Sequence, residues 1–443
     1  MKPNILLLTI DSLRADRISP SNKFTKINSI EKLISNGIYC QNAISSSDST
    51  GISIGSIFSS NYRFVTGINH YHFENFDNDY ISALKNNNYS LYSTVPDLYF
   101  FKELTKSFDE NNHYQYDKRD SWKQLEGGIG DQIVSKLKTL QTSENWFYFI
   151  HLMDLHQPFY LPKSFDNEIY GKTRYDKMIS YIDTWIEKFL KEINLDNTLV
   201  ILTADHGDYI PKDYDEVPKT ETPKFLKSTK KIIPTKISDK FLHKLQERSR
   251  NKFITENKKN LSSLELRSFK NRGEDMLFDE TIRIPLVLSS NFVENLSVNQ
   301  LVRQIDIFPT IFELLDLKNE DIIKSGESFI ETVSKKSTPQ TIGYIESGSR
   351  DPKSLGKVIG IRNNDYKYFR DRDNLSSKHL YNLINDPLEE KNLANEFPDI
   401  VLEMENILQK ILTNQINEKN EPLIDIICRI WEFLINYSAF FNV

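Results

Sequence analysis

The chain has 443 residues, with 56 Lys and Arg against 62 Asp and Glu and a formal charge of −6. This near balance argues against a dedicated nucleic-acid binder, and a hydrophobic content of 39% excludes global disorder. The two cysteines, Cys40 and Cys428, cannot form a disulfide framework. The first apolar run, residues 5–10, is too short for a signal peptide, and no run approaches the ~20 apolar residues of a membrane span. We therefore expect a folded cytoplasmic protein with one large and one smaller domain.

Apolar runs and helical periodicity alternate along the chain. The runs predict strands that are covered on both faces, at residues 5–10, 89–95, 147–153, 199–204 and 285–288. Apolar positions with a period near 3.6 predict helices at 25–35, 130–140 and 175–193. The alternation indicates an α/β sandwich with a mainly parallel central sheet.

Polar residues follow three of the predicted strands. Asp11 follows the first, Asp154 and His156 follow the third, and Asp205 and His206 follow the fourth. Ligands of such sheets lie beyond the carboxyl ends of the strands, and carboxylates with an imidazole suit a divalent cation. Taken alone, Asp11 is more often a helix cap and Asp205 more often part of a turn, so only their joint occurrence favours a site.

A serine-rich segment, residues 45–58, precedes and enters a predicted helix. A hydroxyl in the first turn of a helix lies beside free backbone N–H groups, which suit an anionic ester and its transition state. The alternative is a loop that ends in an ordinary helix cap. Spacing alone does not identify the reactive hydroxyl.

The composition changes over residues 219–272, which carry 16 Lys and Arg against five Asp and Glu, a net +11, so that the rest of the chain carries −17. We interpret residues 211–274 as a basic helical insertion in a catalytic domain spanning 1–335. Its charge would attract an anionic substrate or a membrane surface, and a solvated helical face is the alternative. Residues 336–420 predict a small α+β subdomain, and 421–443 an amphipathic C-terminal helix that is packed or in peripheral membrane contact.

Six segments in order resemble the sulfatases of the alkaline-phosphatase superfamily: 4–14, 149–159, 196–208, 280–285, 306–310 and 380–394. The segments include the opening strand with its acid, an H-x-P turn and an Asp-His-Gly-Asp loop. The resemblance covers nearly the whole chain. It implies an alkaline-phosphatase-like three-layer sandwich with a small C-terminal subdomain.

The resemblance also implies roles for individual residues. Asp11, Asp205, His206 and Thr50 would hold one divalent ion, which could be Ca, Mg, Mn or Zn. Thr50 falls at the position of the family's nucleophile. His156, and with less support His151, would act as acid or hydrogen-bond donor toward the leaving group or the anion. A buried structural histidine is the alternative for each.

Departures from the family pattern bear on the chemistry. The formylglycine signature requires Cys or Ser followed by Pro and Arg, and here the stretch 50–54 reads Thr-Gly-Ile-Ser-Ile. Ser12 stands where many sulfatases carry a second acid. The Lys or His that usually precedes the family's Arg-x-Pro strand is not obvious here, which leaves Lys270 or Arg272 as substitutes. Arg14 is another candidate to bind substrate charge, and a structural ion pair is its alternative.

These observations predict a metal-dependent hydrolase of sulfate, phosphate or phosphonate esters, with Thr50 as nucleophile and no formylglycine. One alternative is a phospho-group transferase similar to the phosphoethanolamine and phosphoglycerol transferases, modifying a glycan or lipid. Another is a catalytically silent binding protein with the same fold. The expected partner is an anionic small-molecule or glycan ester and not a nucleic acid; oligomeric state stays open.

Overall fold

A computed structural model describes residues 2–21, 25–73, 79–115, 123–157, 159–209, 255–256, 262, 266–267, 276–318, 324–330, 341–348 and 357–413. The chain divides into two compact units, one formed by Met1–Asp208 with Arg272–Val443 and the other by Tyr209–Asn271. All elements named below belong to the first unit. The predicted helix at 421–443 and nearly all of the predicted basic insertion lie outside the described residues.

An eight-stranded sheet forms the centre of the first unit, in the order β4-β3-β5-β1-β6-β7-β2-β8. Its strands are β1 (Asn4–Ile10), β2 (Gly37–Ile44), β3 (Ser90–Pro96), β4 (Glu110–Tyr114), β5 (Trp146–Leu152), β6 (Thr198–Thr203), β7 (Arg283–Ser289) and β8 (Leu296–Arg303). Five of these strands were predicted from their apolar runs. All seven residues of β1 are buried, because β5 and β6 flank it and both faces are covered.

Most neighbouring strands are parallel, as predicted. The exception is β7, which is antiparallel to both β6 and β2. The remaining pairs of the sheet, including β1 with β5 and β6, are parallel. The carboxyl ends of β1, β5 and β6 therefore meet at one edge of the sheet.

The helices are α1 (Asn28–Ser35), α2 (Thr50–Ser59), α3 (Arg63–Thr66), α4 (Asp79–Asn86), α5 (Tyr99–Thr105), α6 (Gly130–Leu140), α7 (Arg174–Lys191), α8 (Asp279–Ile282), α9 (Ile307–Leu314) and α10 (Pro398–Leu412). Helix α7 contacts α1 and α6, while α2 contacts α4 and α9. Phe58 of α2 packs on Phe147 and Phe149 of β5. Within the described residues, no helix is both long and apolar enough to cross a membrane.

Helix α1 starts later than predicted, at Asn28 in place of residue 25. The carboxylate of Asp183, on α7, accepts hydrogen bonds from the backbone N–H groups of Ser29 and Ile30 at 3.0 and 2.9 Å. These are N–H groups of the first turn, which have no partner within a helix. A side chain distant in sequence therefore caps α1.

A second sheet lies in the C-terminal part, with the order β12-β11-β10-β9 and antiparallel neighbours throughout. Its strands are β9 (Gly343–Glu346), β10 (Val358–Arg362), β11 (Tyr366–Asp371) and β12 (Lys378–Asn382). Helix α10 packs on β10 and β11, and its Glu405 pairs with Arg370 at 2.8 Å. A small antiparallel sheet with a helix, as predicted for the C-terminal part, is thus present in addition to the mainly parallel α/β sheet.

Candidate active site

The parallel register of three central strands brings two acids and a histidine together. Thr9 of β1 lies opposite His151 of β5 and opposite Thr203 of β6. Asp11 and Asp205 each follow their strand within two residues, so both lie at the same edge as His151. The side chains of Asp11, His151 and Asp205 are fully buried.

These three side chains form a group with the dimensions of a metal site. One ligand atom from each of Asp11, His151 and Asp205 lies within 4.8 Å of the other two. Two of these side chains have a buried polar atom, His151 Nε2 and Asp205 Oδ2, that makes no hydrogen bond in the described part of the chain. Buried polar atoms are normally satisfied, and carboxylates with an imidazole are ligands of divalent ions. The residues therefore fit a divalent cation.

The carboxylates of Asp11 and Asp205 lie close together in a buried environment and affect each other's pKa. Burial raises the pKa of Asp205 well above its ordinary value, and the neighbouring charge of Asp11 raises it further. Burial also acts to raise the pKa of Asp11, but His156, His151 and His206 together hold it well below its usual range. Two adjacent buried carboxylates without a cation repel each other, which a bound divalent ion would relieve.

A hydrogen bond orients His151. Thr9 Oγ1 lies 2.7 Å from His151 Nδ1 and donates to the carbonyl oxygen of Ile150 at 3.2 Å. In the tautomer that can bind an ion through Nε2, Nδ1 carries the proton and donates to Thr9, while the hydroxyl proton of Thr9 is directed at Ile150. Nε2 then presents its lone pair toward Asp11 Oδ2, 3.8 Å away. Sequence analysis gave His151 as an acid or hydrogen-bond donor, and that role stays a prediction. The structure places its side chain in the group that could hold a divalent ion.

Thr50 is the first residue of α2 and lies beside this group. Its Oγ1 is 3.2 Å from Asp11 Oδ2 and 3.2 Å from His206 Nε2. Ser49 precedes it in extended conformation, and the first helical hydrogen bond of this turn runs from Ser53 N to Ser49 O at 2.9 Å. The structure thus brings the predicted nucleophile within hydrogen-bond distance of two predicted metal ligands.

The loop that carries His206 is held from both sides. His206 Nδ1 lies 2.8 Å from the carbonyl oxygen of Gly207, which can only accept, so Nε2 of the neutral ring is the acceptor facing Thr50. Gly207 N donates to the carbonyl oxygen of Thr281 at 2.9 Å. A Cβ at residue 207 would lie 2.1 Å from the carbonyl oxygen of Glu280, so only glycine fits here.

Ser12 bridges the two acids, a role that the sequence did not reveal. Its Oγ donates to Asp11 Oδ1 at 2.6 Å and its backbone N–H donates to Asp205 Oδ1 at 3.1 Å. The backbone of Ser12 is left-handed, with φ of 63°. Tyr175 stabilises this turn, because its hydroxyl donates to Ser12 O at 2.6 Å and accepts from Arg14 N at 3.0 Å. The only feature of the sequence that could have indicated this role of Ser12 is its position directly after Asp11.

Gln304 is a second residue that sequence reasoning missed. Its side-chain amide donates to the carbonyl oxygens of Ala204 and Asp205 at 3.1 and 2.9 Å. Its Oε1 accepts from Ser46 N at 3.3 Å. Gln304 therefore joins the loop before Thr50, at Ser46, to the loop that carries Asp205. Nothing in its sequence context distinguishes it from other glutamines.

The remaining predicted residues are placed as follows. His156 is half buried in the turn after β5, and it is among the groups that lower the pKa of Asp11. Arg14 is buried and pairs through Nε and Nη2 with the carboxylate of Asp16 at 2.8 and 2.9 Å. Its guanidinium therefore makes an ion pair with Asp16, and the predicted role of Arg14 in binding substrate stays a prediction. Lys270 and Arg272 lie outside the described residues.

Known proteins share this fold. A 2-O GAG sulfatase, BT1596, matches with a TM-score of 0.64 and 15% identity, over 94% of this chain and 92% of that one. A phosphonate monoester hydrolase of Agrobacterium radiobacter matches with a TM-score of 0.64 and 14% identity, over 94% of this chain and 96% of that one. At these identities the comparisons establish a common architecture.

Sequence comparison gives the family. An uncharacterized protein of Haemophilus influenzae is 26% identical over 215 residues, which span 46% of this chain and only about a third (32%) of that relative. The family described as N-sulphoglucosamine sulphohydrolase, C-terminal, matches residues 265–419. The family described as Sulfatase matches residues 3–317, which is more than two thirds of the chain. The protein belongs to the sulfatase family.

Proposed function

We propose that this protein is a metal-dependent hydrolase of sulfate, phosphate or phosphonate esters, with Thr50 as its nucleophile. The observation that carries the proposal is the position of Thr50 Oγ1, 3.2 Å from both Asp11 Oδ2 and His206 Nε2 at the start of α2. A hydroxyl with two proton acceptors, beside a charged group and a helix N-terminus, has the surroundings of an activated nucleophile.

Asp11, Asp205 and His151 would hold the divalent ion. His206 offers a fourth ligand atom, because its Nε2 lies 3.3 Å from Asp205 Oδ2. When bound, the ion supplies Lewis-acid stabilisation to an anionic ester. Ser12 and Thr9 orient the ligands through the hydrogen bonds described above, as outer partners of metal ligands generally do.

Side chains of this chain supply the remaining steps. Thr50 Oγ1 bonds to the sulfur or phosphorus atom while its proton passes to the carboxylate of Asp11, 3.2 Å away. The ester bond to the leaving oxygen breaks, and that oxygen takes a proton from His156. Water then attacks the Thr50 ester, which releases sulfate, phosphate or phosphonate and restores the hydroxyl. Backbone N–H groups in the first turn of α2, where Thr50 stands, would stabilise the charge that develops on the transferring group.

The substrate in this proposal is an anionic ester of a glycan or small molecule. The fold is shared with proteins named for sulfate esters and for phosphonate monoesters, so both groups belong in the test. Thr50 is compatible with either, because its attack does not depend on the formylglycine that the sequence lacks.

The test combines metal analysis with turnover. Purified protein should contain one divalent ion and hydrolyse at least one of 4-nitrophenyl sulfate, 4-nitrophenyl phosphate and 4-nitrophenyl phenylphosphonate. Thr50→Ala should lower kcat by at least about a thousandfold, as loss of a nucleophile does elsewhere. The exposed Thr142 provides the matched control Thr142→Ala, which should keep full activity. Turnover that survives Thr50→Ala would eliminate Thr50 as nucleophile.

A further inference from the structure

The short helix α8 holds two loops of the candidate site through its last two carbonyl groups. Thr281 O accepts a hydrogen bond from Gly207 N at 2.9 Å. Ile282 O accepts from the backbone N–H and from the hydroxyl of Ser45, at 2.8 and 3.1 Å. One segment of four residues therefore contacts both the loop of the metal group and the loop that leads into α2.

The first residue of α8, Asp279, belongs to a cluster of charged side chains. Its carboxylate accepts hydrogen bonds from Arg362 Nε and Nη2 at 3.1 and 3.0 Å. Lys367 Nζ lies 2.5 Å from the same carboxylate and 2.8 Å from Glu389 Oε1. Glu389 Oε2 accepts from Asp279 N at 2.7 Å. We call Asp279, Arg362, Lys367 and Glu389 the charge cluster. It joins the start of α8 to β10, β11 and the loop after β12.

The charge cluster is buried and fixed in geometry. The side chains of Arg362, Lys367 and Glu389 are buried, and that of Asp279 is 16% exposed. Burial acts to raise the pKa of Asp279, but Arg362 and Lys367 hold it well below its usual range, so the carboxylate is ionised. Buried ion pairs are weak evidence for stability, whereas a two-bond contact between arginine and a carboxylate is specific in geometry. The cluster is therefore better suited to fix the position of α8 than to stabilise the fold.

The apolar contacts beside the charge cluster are less specific. Phe278, the residue before α8, packs on Phe369 and Tyr381 of the C-terminal sheet, with ring centroids 5.8 and 5.7 Å apart. Hydrophobic contact is non-directional, so these rings hold the segment against the sheet without fixing its register. The hydrogen bonds of Asp279 supply the direction.

We propose that Asp279 is a positioning residue for the reaction, because it fixes α8 and α8 in turn fixes the loops that lead to His206 and Thr50. This inference rests on the proposed function, in which Thr50 is the nucleophile. Thr50 Oγ1 and His206 Nε2 lie 3.2 Å apart and belong to the two loops that α8 holds. A displacement of α8 therefore changes the alignment of the nucleophile with the metal group. Misplacement by 1 Å can lower a rate about a hundredfold.

The chain offers a matched control for the loss of this carboxylate. Arg370 Nε and Nη2 bind the carboxylate of Glu405 in the same two-bond manner, at 2.8 and 2.9 Å. This pair joins β11 to α10, and neither element is part of the segment that holds the site loops. Asp279→Ala and Glu405→Ala each leave a buried arginine without its carboxylate, so a merely structural role predicts the same consequences for both variants.

Hydrogen exchange tests the inference without turnover. Exchange is measured by mass spectrometry on the full chain, in peptides that contain the amides of Ser45 and Gly207, with residues 146–152 of β5 reporting global opening. Asp279→Ala should raise exchange at Ser45 and Gly207 about tenfold relative to β5, and Glu405→Ala should not. An equal rise in both variants, or no rise in Asp279→Ala, would overturn the positioning role.

Kinetics with any nitrophenyl ester that the protein hydrolyses supply the second measurement. Asp279→Ala should lower kcat about ten- to a hundredfold with KM within about twofold, whereas Glu405→Ala should keep both. An unchanged kcat in Asp279→Ala, or an equal loss in Glu405→Ala, would overturn the inference. If no ester is hydrolysed, the proposed function fails, and the exchange measurement alone decides whether Asp279 holds the two loops.

A milder pair of variants keeps the test decisive if Asp279→Ala does not fold. Arg362→Lys and Arg370→Lys each retain the positive charge and lose the two-bond contact. Arg362→Lys should raise exchange at Ser45 and Gly207 about threefold relative to β5, and Arg370→Lys should leave it unchanged. The same result for both lysine variants would overturn the inference.

Discussion

Replacing Asp205 by Asn should stabilise the protein when no divalent ion is bound. Asp205 Oδ2 is buried without a hydrogen bond in the described structure, and burial followed by the charge of Asp11 disfavours its ionised form. Asn keeps the acceptor at Oδ1 for His206 N at 2.8 Å and Ser12 N at 3.1 Å. Its amide places a donor where Oδ2 now lies, 3.3 Å from His206 Nε2. Removing an unsatisfied buried charge should gain about 1–3 kcal/mol.

With a divalent ion bound, the unmodified protein should instead be more stable than Asp205→Asn. An ion at a hundredfold excess over its Kd stabilises the native state by about 2.7 kcal/mol, and the variant lacks one anionic ligand for it. Thermal unfolding of both proteins is measured with EDTA and with Mn²⁺, Mg²⁺, Ca²⁺ or Zn²⁺. Asp373→Asn, at a side chain that is 78% exposed, is the control and should follow the unmodified protein. A variant that is destabilised equally with chelator and with every metal would refute the reasoning.

Three further outcomes follow from buried polar groups. Burial raises the pKa of Asp154 from 3.8 to about 7. The free energy of unfolding should therefore be highest at low pH and fall by roughly 4 kcal/mol as the pH rises from about 4 to 7. Asp154→Asn should flatten this slope, as measured by urea unfolding between pH 4 and 8. The Nζ atom of the fully buried Lys367 lies 2.5 Å from Asp279 and 2.8 Å from Glu389. Lys367→Met should therefore lower the free energy of unfolding by about 3–5 kcal/mol, as measured by urea unfolding. Lys357 is exposed, so Lys357→Met should change it little. Ser12→Gly should be about 1 kcal/mol more stable than Ser12→Ala, since both lose the bond to Asp11 and only Ala keeps a side chain at positive φ; equal stabilities would contradict backbone strain.

The central strands could be predicted because their burial is uniform. Strands β1, β5 and β6 are buried at every residue, which requires unbroken apolar runs. The edge strands β4 and β8 gave no such signal, since their burial is partial and their sequences mix polar with apolar residues. The order of the strands and the antiparallel direction of β7 also escaped prediction. Pairings such as β2 with β7 and β8 join segments more than 200 residues apart, and no local pattern encodes them.

The candidate site divides in the same way. Asp11 and Asp205 were recognisable because each follows an apolar strand, and Thr50 because the resemblance assigned its position. Ser12 and Thr9 act through a backbone dihedral angle and a single hydroxyl proton, which common residue types supply anywhere in a protein. Their contributions depend on atoms of neighbouring strands, so only the assembled structure reveals them.

Hydrogen bonds between distant segments hold the site in place without a metal ion. Gln304 ties the loop before Thr50 to the loop of Asp205, and Gly207 N is tied to the carbonyl oxygen of Thr281 at 2.9 Å. These bonds use backbone groups and one amide, none of which belongs to the side chains of the candidate metal ligands Asp11, His151 and Asp205. The distance from Thr50 to its proton acceptors is therefore set by the fold. Preorganisation of this kind lowers the cost of rearrangement during the reaction, since the groups that stabilise charge already face it.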